Sequence, residues 1–349
     1  MASFLLYHIV YMAPELSHTN FSRPSKPITD IVGLELGVAH SEGVPAVRLT
    51  KRAEGNIELV SAGFLKLSGA QIPEVPDPEK TPPVWFLPKA FQAPYAALTV
   101  SSPQGFLRHA SGLGDEIDKK QLSFRTVKRI SATDLPPLVA GLPEFQAAWV
   151  ARLLPEGHHP TARSIQFTPV ASLNALSASP AFSAVSGTAT ALFVFPKFTA
   201  VAAFQNRDLV LYREHPVGYY HLRKAIAERM GIDIGLIDAV LDDHLIDPTP
   251  IIEPILRPLF RQVEISTDFL LRRRNYKPND FFLCGLPAGA RYWSDIFSTM
   301  MEHPLNPVAP LDGVLRIPRK KSALPTLSIA QQNLLMAAYG AAYAVLEDV

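Results

Sequence analysis

The sequence has little of three things, and each scarcity excludes a class of protein. One cysteine, Cys284, is present among 349 residues, which excludes an internal disulfide and a zinc site built from several cysteines. The net charge is only +1, whereas nucleic-acid-binding proteins usually carry a clear basic excess, so no nucleic-acid partner is expected. The apolar run at residues 4–13 is too short to span a bilayer. These features predict a cytoplasmic globular protein.

What the sequence does have is enough apolar material for a large core. Hydrophobic residues make up 48% of the chain, and its length suits about two domains. The polar, proline-spaced residues 14–30 predict a tether, so that residues 1–30 as a whole form an N-terminal extension. A second proline-dense stretch, residues 71–94, predicts a loop or an extended arm.

Two similar series of strands divide the rest of the chain. The first series comprises an apolar strand at 31–36 and alternating strands at 44–51 and 57–67. The second series, within residues 189–217, again has three strands in close succession. This repetition predicts an α/β fold with a duplicated plan. The predicted boundaries are 31–180 for the first half, about 96–170 for a subdomain inserted in it, and 181–349 for the second half.

Helical periodicity is clearest in the second half. It predicts a long amphipathic helix over 255–274, with Pro258 in its first turn, and an alanine-rich helix over 328–346. Gly231, in the sequence GIDIG, looks like a phosphate-binding glycine but follows a helical segment, 219–230, and precedes no hairpin. It is therefore interpreted as a helix C-cap.

The order and spacing of these segments resemble the actin-like ATPases of the FtsA/PilM group, and in particular the PilM family of type IV pilus assembly proteins. The resemblance in the first half is carried by IVGLELGVAHSEGVPAVRLTKRAEGNIELVSAGFLKL. In the second half it is carried by ATALFVFPKFTAVAAFQNRDLVLYREHPVG, RPLFRQVEISTDFLLRRR, FFLCGLPAG and LLMAAYGAAYAVLED. It covers roughly residues 31–346 and is weakest over 71–180. It implies the actin-like, ribonuclease H-like duplicated ATPase fold, with two similar halves around a cleft.

The resemblance also implies a site for ATP with Mg²⁺, in which turns of the two halves hold the phosphates through backbone N–H groups. Glu35 stands where the family has Asp, and Val38 and Ala39 lack the hydroxyl expected after the turn glycine. Pro196 in the second turn removes a donor, and no acidic residue is present there. We therefore expect a degenerate site without catalysis. The candidate nucleotide-binding residues are Gly33, Glu35, Gly37, Lys197, Gly218, Gly285 and Gly289.

These residues have a structural explanation as well. A β-meander needs a glycine turn whether or not ATP binds, and Glu35 could face solvent or form an ion pair. Asp238 and Asp242 lie where the family has Glu and Lys near the adenine. No catalytic residue is assigned. No metal site is assigned either, because the His158–His159 pair lacks a further ligand at a suitable spacing.

The function implied by the resemblance is that of a cytoplasmic scaffold in a type IV pilus, or a related type II secretion apparatus. The implied partner is the short N-terminal tail of an inner-membrane PilN-like protein, which holds the scaffold peripherally at that membrane. Self-association is a further expectation. The tail is predicted to dock beside the inserted subdomain, where the candidate pocket residues are Phe106, Phe124, Val127 and Trp149. The alternative role of these four residues is to form the core of the subdomain itself.

Two other functions remain open. One is an active actin-like ATPase or small-molecule kinase of the same fold, although no Asp is placed to accept a proton from a substrate hydroxyl. The other is an FtsA-like filament-forming protein. Such proteins usually end in a basic amphipathic helix, whereas this sequence ends at Val349 in an acidic tail, Glu347–Asp348.

Overall fold

The strands and helices form two compact units, which are described separately. A computed structural model of the chain describes residues 27–36, 43–67, 76–77, 79–109, 122–127, 138–154, 159–243, 245–285, 290–316 and 327–347. The first unit comprises Met1–Pro180, Pro310–Thr326 and Leu335–Val349. The second comprises Ala181–Ala309 and Leu327–Leu334. The sequence prediction assigned all of 181–349 to the second half and so differs from this division near the C-terminus.

A six-stranded sheet forms the centre of the first unit, in the order β14-β3-β2-β1-β4-β8. Its strands are β1 (Asp30–Leu36), β2 (Val44–Lys51), β3 (Ile57–Leu65), β4 (Tyr95–Val100), β8 (Thr161–Phe167) and β14 (Leu315–Arg316). The first three strands are the predicted antiparallel meander. On its other side, β1 pairs in parallel with β4, and β4 pairs in parallel with β8. Helices α2 (Thr168–Ala178) and α9 (Met336–Glu347) pack against this sheet.

A small sheet lies between β4 and β8 in the chain. Its strands are β5 (Phe106–His109), β6 (Leu122–Val127) and β7 (Leu138–Pro143), with β7 in the centre, and helix α1 (Glu144–Ala151) follows. These elements occupy the middle of the range predicted for the inserted subdomain. The ends of that range, 96–100 and 161–170, instead belong to strands and a helix of the main sheet.

The second unit repeats the plan of the first. Its sheet has the order β11-β10-β9-β12-β13, and its first strand is antiparallel to β10 and parallel to β12. The strands are β9 (Thr188–Val194), β10 (Thr199–Gln205), β11 (Asp208–His215), β12 (Asp280–Cys284) and β13 (Asn306–Pro307). The helices are α3 (Pro180–Ser183), α4 (Tyr219–Met230), α5 (Ile237–Asp242), α6 (Thr249–Arg274), α7 (Ala290–Met301) and α8 (Ile329–Leu334).

Helix α6 begins at Thr249 rather than at residue 255, and it contains Pro254 and Pro258. Together with Pro250, these prolines are spaced by four residues along the exposed side of the helix. Proline has no N–H group, so Pro254 and Pro258 leave the carbonyl groups four residues earlier without a helical hydrogen bond. Those carbonyl groups lie on the exposed side, where water can donate to them. The interpretation of Gly231 as a C-cap is confirmed, because it ends α4 in the left-handed conformation with φ of 66°.

The predicted C-terminal helix is divided in two at Leu335, with α8 in the second unit and α9 in the first. Within the first unit the backbone of α9 lies unusually close to its neighbours. A Cβ atom on Gly33 of β1 would lie 1.8 Å from the carbonyl oxygen of Ala338. A Cβ atom on Gly340 would lie 1.9 Å from the carbonyl oxygen of Ala171 in α2. Both contacts require glycine, because the atoms in the way belong to the backbone.

Substitution of Gly340 by alanine tests this close packing. We expect Gly340→Ala to lower the free energy of unfolding by about 1–3 kcal/mol, since α9 must move away from α2 to admit the methyl group. Alanine has the higher helix propensity, by about 1 kcal/mol, so the sign of the change is diagnostic. Urea unfolding measures it.

Gly235→Ala is the matched control. Gly235 is exposed, and the nearest atom to its added Cβ would be the side-chain oxygen of Asp233, at 2.9 Å. We expect this change to stay within about 0.5 kcal/mol of the wild type. A Gly340→Ala protein as stable as the wild type would contradict the packing described here.

Candidate nucleotide site and partner surface

Glu35 lies near the carboxyl end of β1, in register with Thr99 of β4 and Gln166 of β8. Because register partners in parallel strands project to the same face, these three polar side chains form a row across the sheet. All three are buried. Burial raises the pKa of Glu35 to about 8, so its carboxyl group is mostly protonated at neutral pH. Binding of Mg²⁺ to this carboxyl would have to release that proton.

The other members of the row are hydrogen-bonded within the first unit. The amide of Gln166 donates to Ser164 Oγ at 3.1 Å and to the carbonyl oxygen of Ala341 in α9 at 3.3 Å. Asn174 Nδ2 in α2 donates to Gln166 Oε1 at 3.4 Å. The polar groups beside Glu35 therefore connect the sheet to both of the helices that cover it.

The second predicted phosphate turn, residues 195–198, joins β9 to β10. Its first N–H group, on Phe195, donates to the carbonyl oxygen of Phe198 at 2.9 Å. The start of α4 lies against this turn. Gly218 is needed there, because a Cβ atom would lie 2.3 Å from the carbonyl oxygen of Phe195. Lys197 is exposed at the tip of the turn.

The first backbone N–H groups of α4 all have partners inside the protein. Tyr219 donates to the carbonyl oxygen of Phe195 at 3.1 Å, and Tyr220 donates to that of Pro196 at 2.9 Å. Gly218 donates to His221 Nδ1 at 3.1 Å, and His221 donates to the carbonyl oxygen of Gly218. A helix N-terminus binds an anion through free N–H groups, and these four are engaged.

Gly285 follows β12 and has a φ of 82°, which favours glycine. Its N–H donates to Asn333 Oδ1 at 2.9 Å. The buried Asn333 also donates through Nδ2 to the carbonyl oxygens of Val308, at 2.8 Å, and Ile329, at 3.0 Å. Asn333 therefore ties the end of β12 to α8, a role that sequence reasoning missed because these segments are far apart in the chain.

Asp238, which the resemblance placed near the adenine, pairs with Arg223 of α4 at 3.4 Å. Arg223 also donates to the carbonyl oxygen of Ile234 at 2.8 Å. The family pattern expected a Lys close to this acidic residue. The cation that is present, Arg223, comes instead from the preceding helix.

Two candidate residues, Gly37 and Gly289, lie outside the residues that the structure describes. Within the described ranges, no group of three or more His, Cys, Asp or Glu side chains is arranged to hold a metal ion. Cys284 is buried, as predicted, and burial raises the pKa of its thiol well above the ordinary value. Its thiol is therefore protonated at neutral pH.

The candidate partner residues lie in or next to the small sheet. Trp149 is buried, and its indole N–H donates to the carbonyl oxygen of Lys80 at 3.0 Å. The Phe106 ring lies over Gly141 of β7, where it would meet a Cβ atom at 2.5 Å. Phe124 and Val127 belong to β6 and pair with residues of β7. Phe106 thus contributes a contact within the subdomain, and Trp149 connects the subdomain to Lys80.

An extended segment, residues 81–88, runs alongside this subdomain. The N–H of Trp85 donates to the carbonyl oxygen of Leu153 at 2.7 Å, and the side chains of Trp85 and Leu87 are buried. The side chains that alternate with them are largely exposed: Val84 is 48% exposed and Phe86 is 70% exposed. The predicted proline-rich arm therefore presents an apolar surface next to the end of α1.

The architecture is similar to that of a solved chain from a PilM-PilN type IV pilus biogenesis complex. The TM-score is 0.63 at 16% sequence identity, over 92% of this chain and 99% of that one. The protein has the actin-like ATPase fold. The duplicated fold predicted from the sequence is thus confirmed.

Other solved structures match over similar lengths but less well. The ethanolamine utilization protein EutJ from Carboxydothermus hydrogenoformans gives a TM-score of 0.43 at 14% identity, over 91% of this chain and 90% of that one. Bacillus thuringiensis ParM with ATP gives 0.33 at 10% identity, over 92% and 99%. No protein-family profile and no curated protein matches the sequence. In the described part of the chain, no helix is both long and apolar enough to cross a bilayer.

The raised pKa of Glu35 makes a prediction about stability. Between about pH 4.5 and about pH 8, the native state holds a proton that the unfolded state, with an ordinary carboxyl pKa of 4.5, has already released. The free energy of unfolding should therefore fall as pH rises through this range, by up to about 5 kcal/mol. Glu35→Gln should remove this fall and be the more stable protein at pH 9.

Urea unfolding at pH 5 and pH 9 measures this difference. Glu228→Gln, at an exposed position on α4, is the control and should follow the wild type at both pH values. If Glu35→Gln and the wild type lose the same stability between the two pH values, Glu35 is ionised in the native protein and the assignment is wrong.

Proposed function

We propose that this protein is a PilM-like cytoplasmic scaffold of a type IV pilus, or of a related type II secretion apparatus. It is held at the inner membrane by the N-terminal tail of a PilN-like protein and carries a degenerate nucleotide cleft without catalysis. The observation that carries the proposal is the likeness to a chain of a PilM-PilN complex over nearly the full length of both chains. The lack of catalysis is argued from the two predicted phosphate-binding turns, and the binding of the partner is argued from the surface of residues 81–88.

The proposed lack of catalysis is supported by the residues at the turns. Glu35 is buried and mostly protonated, and Pro196 supplies no N–H group. The N–H groups at the start of α4 are engaged by the neighbouring turn and by His221. Gly33 is accounted for by its contact with Ala338. These residues fit ATP with Mg²⁺ poorly, so nucleotide binding, where it occurs, is not expected to lead to hydrolysis.

A phosphate-release assay with ATP and Mg²⁺ tests this part of the proposal. We expect the purified protein to release no more phosphate than a buffer blank, because the phosphate-binding groups are incomplete. A turnover that disappears in Glu35→Ala would show an active site, and the alternative of an actin-like ATPase would then replace the scaffold without catalysis.

The proposed partner surface is supported by the extended segment 81–88. Extended peptides are bound by pairing with exposed backbone and by pockets for alternate side chains. Here the backbone is held in place by Leu153 and Trp149, so little order has to be gained on binding. Val84 and Phe86 offer apolar side chains beside the inserted subdomain, next to the end of α1, and the sequence predicted the docking site beside this subdomain.

Replacement of Phe86 by aspartate tests this surface. We expect Phe86→Asp to weaken binding of the N-terminal tail peptide of the PilN-like protein by about 30-fold or more, as for an aromatic residue at the centre of an interface. Leu245→Asp is the matched control, because Leu245 is 68% exposed but lies in the other unit. Calorimetric titration measures both, and equal weakening by the two changes would place the tail elsewhere.

A further inference from the structure

Basic side chains are concentrated around the C-terminus of α6, at one end of the second unit. The helix finishes with Arg272, Arg273 and Arg274. The turn between β10 and β11, which contains Arg207, lies beside it, since Gln205 Nε2 donates to the carbonyl oxygen of Arg274 at 3.4 Å. The segment that follows α6 contains Lys277, whose carbonyl oxygen accepts a hydrogen bond from Thr188.

These cations are only partly neutralised by neighbouring carboxylates. Within the described residues, no ion pair includes any of the basic side chains at this end of the unit. Glu264 and Asp268 lie earlier on α6, and Asp208 and Asp280 lie at the starts of β11 and β12. These carboxylates offset most of the charge, and the remaining excess is concentrated in the three consecutive arginines at the end of α6.

Apolar side chains are exposed on the same part of α6. Ile265 and Phe269 are both 47% exposed and are separated by one helical turn, so they lie side by side along one flank of the helix. The guanidinium of Arg273 lies over the Phe269 ring, 5.4 Å from its centroid. Apolar and basic groups therefore form one continuous surface.

We propose that this surface binds directly to a membrane that contains anionic lipids. The basic side chains would lie among the phosphate headgroups, and Ile265 and Phe269 would enter the boundary with the acyl chains. Basic residues near such a surface attract it additively, and exposed aromatic and aliphatic side chains add apolar burial. This contact is separate from the proposed partner surface, which lies in the first unit.

The exposed apolar side chains favour a membrane over a nucleic acid as the partner. A nucleic-acid backbone would be bound by the basic residues alone, with a strong dependence on salt. It would leave Ile265 and Phe269 without a role. A bilayer uses both kinds of side chain on this surface, and the contribution of Phe269 is therefore the decisive measurement.

Co-sedimentation of the purified full-length protein with vesicles tests the proposal. We expect binding to vesicles that contain phosphatidylglycerol and none to vesicles of phosphatidylcholine alone. The paired change Arg272→Glu and Arg273→Glu should weaken binding about tenfold or more. Phe269→Ser should also weaken it, while each variant keeps the circular dichroism spectrum of the wild type.

Matched controls come from α4 of the same unit. Arg229 and Met230 form an adjacent pair of exposed basic and apolar side chains away from this surface, and Arg229→Glu and Met230→Ser should bind vesicles as the wild type does. In Phe269→Trp, fluorescence from the new indole should shift to the blue on binding and be quenched by brominated acyl chains.

The proposal would be overturned by vesicle binding that is equal for both vesicle types or absent from both. It would also be overturned by vesicle binding that is unaffected by the paired arginine change or by Phe269→Ser. Stronger binding to a mixed-sequence oligonucleotide that does not depend on Phe269 would overturn it as well. Because the assay contains no PilN-like protein, a failure here leaves the proposed scaffold function untouched. Loss of tail binding in Phe86→Asp likewise does not bear on the membrane contact.

Discussion

The close approach of α9 to β1 and α2 is the constraint on which the first unit depends. Gly33 and Gly340 permit backbone contacts that no other residue would allow. Gln166 uses this proximity to donate to the carbonyl oxygen of Ala341, and so fixes the polar row that includes Glu35. The environment that raises the pKa of Glu35 is therefore built partly by the helix furthest from it in sequence.

This arrangement separates two reasons for which a protein keeps glycine. Gly33 and Gly218 were predicted from the family resemblance to serve phosphate binding. In the structure each is required by a contact within the protein, to Ala338 and to Phe195 respectively. A phosphate loop and a close backbone contact both select glycine, so sequence alone does not distinguish them. Geometry does, because it identifies the atom that a side chain would strike.

Much of the fold was predictable from short-range patterns. The two meanders follow from alternation of apolar residues, and Gly231 was recognised as a cap from its place after a helix. The start of α6 was predicted too late in the chain because prolines usually mark a helix boundary, whereas here they lie on the solvent-exposed side of the helix. Asn333 and Arg223 were missed for a different reason: their partners are distant in sequence, and no local pattern indicates them.

The discontinuous chain path of the first unit has a consequence for biosynthesis. The second unit lies almost entirely between two parts of the first in the chain, so α9 is synthesised only after the second unit. During translation, β1 and α2 are therefore made before α9, and the backbone at Gly33 and Ala171 lacks the helix that packs against it. Most residues of the second unit are available to fold before α9 is made. The first unit is thus the part of the nascent chain that remains open to misassociation until α9 has been synthesised.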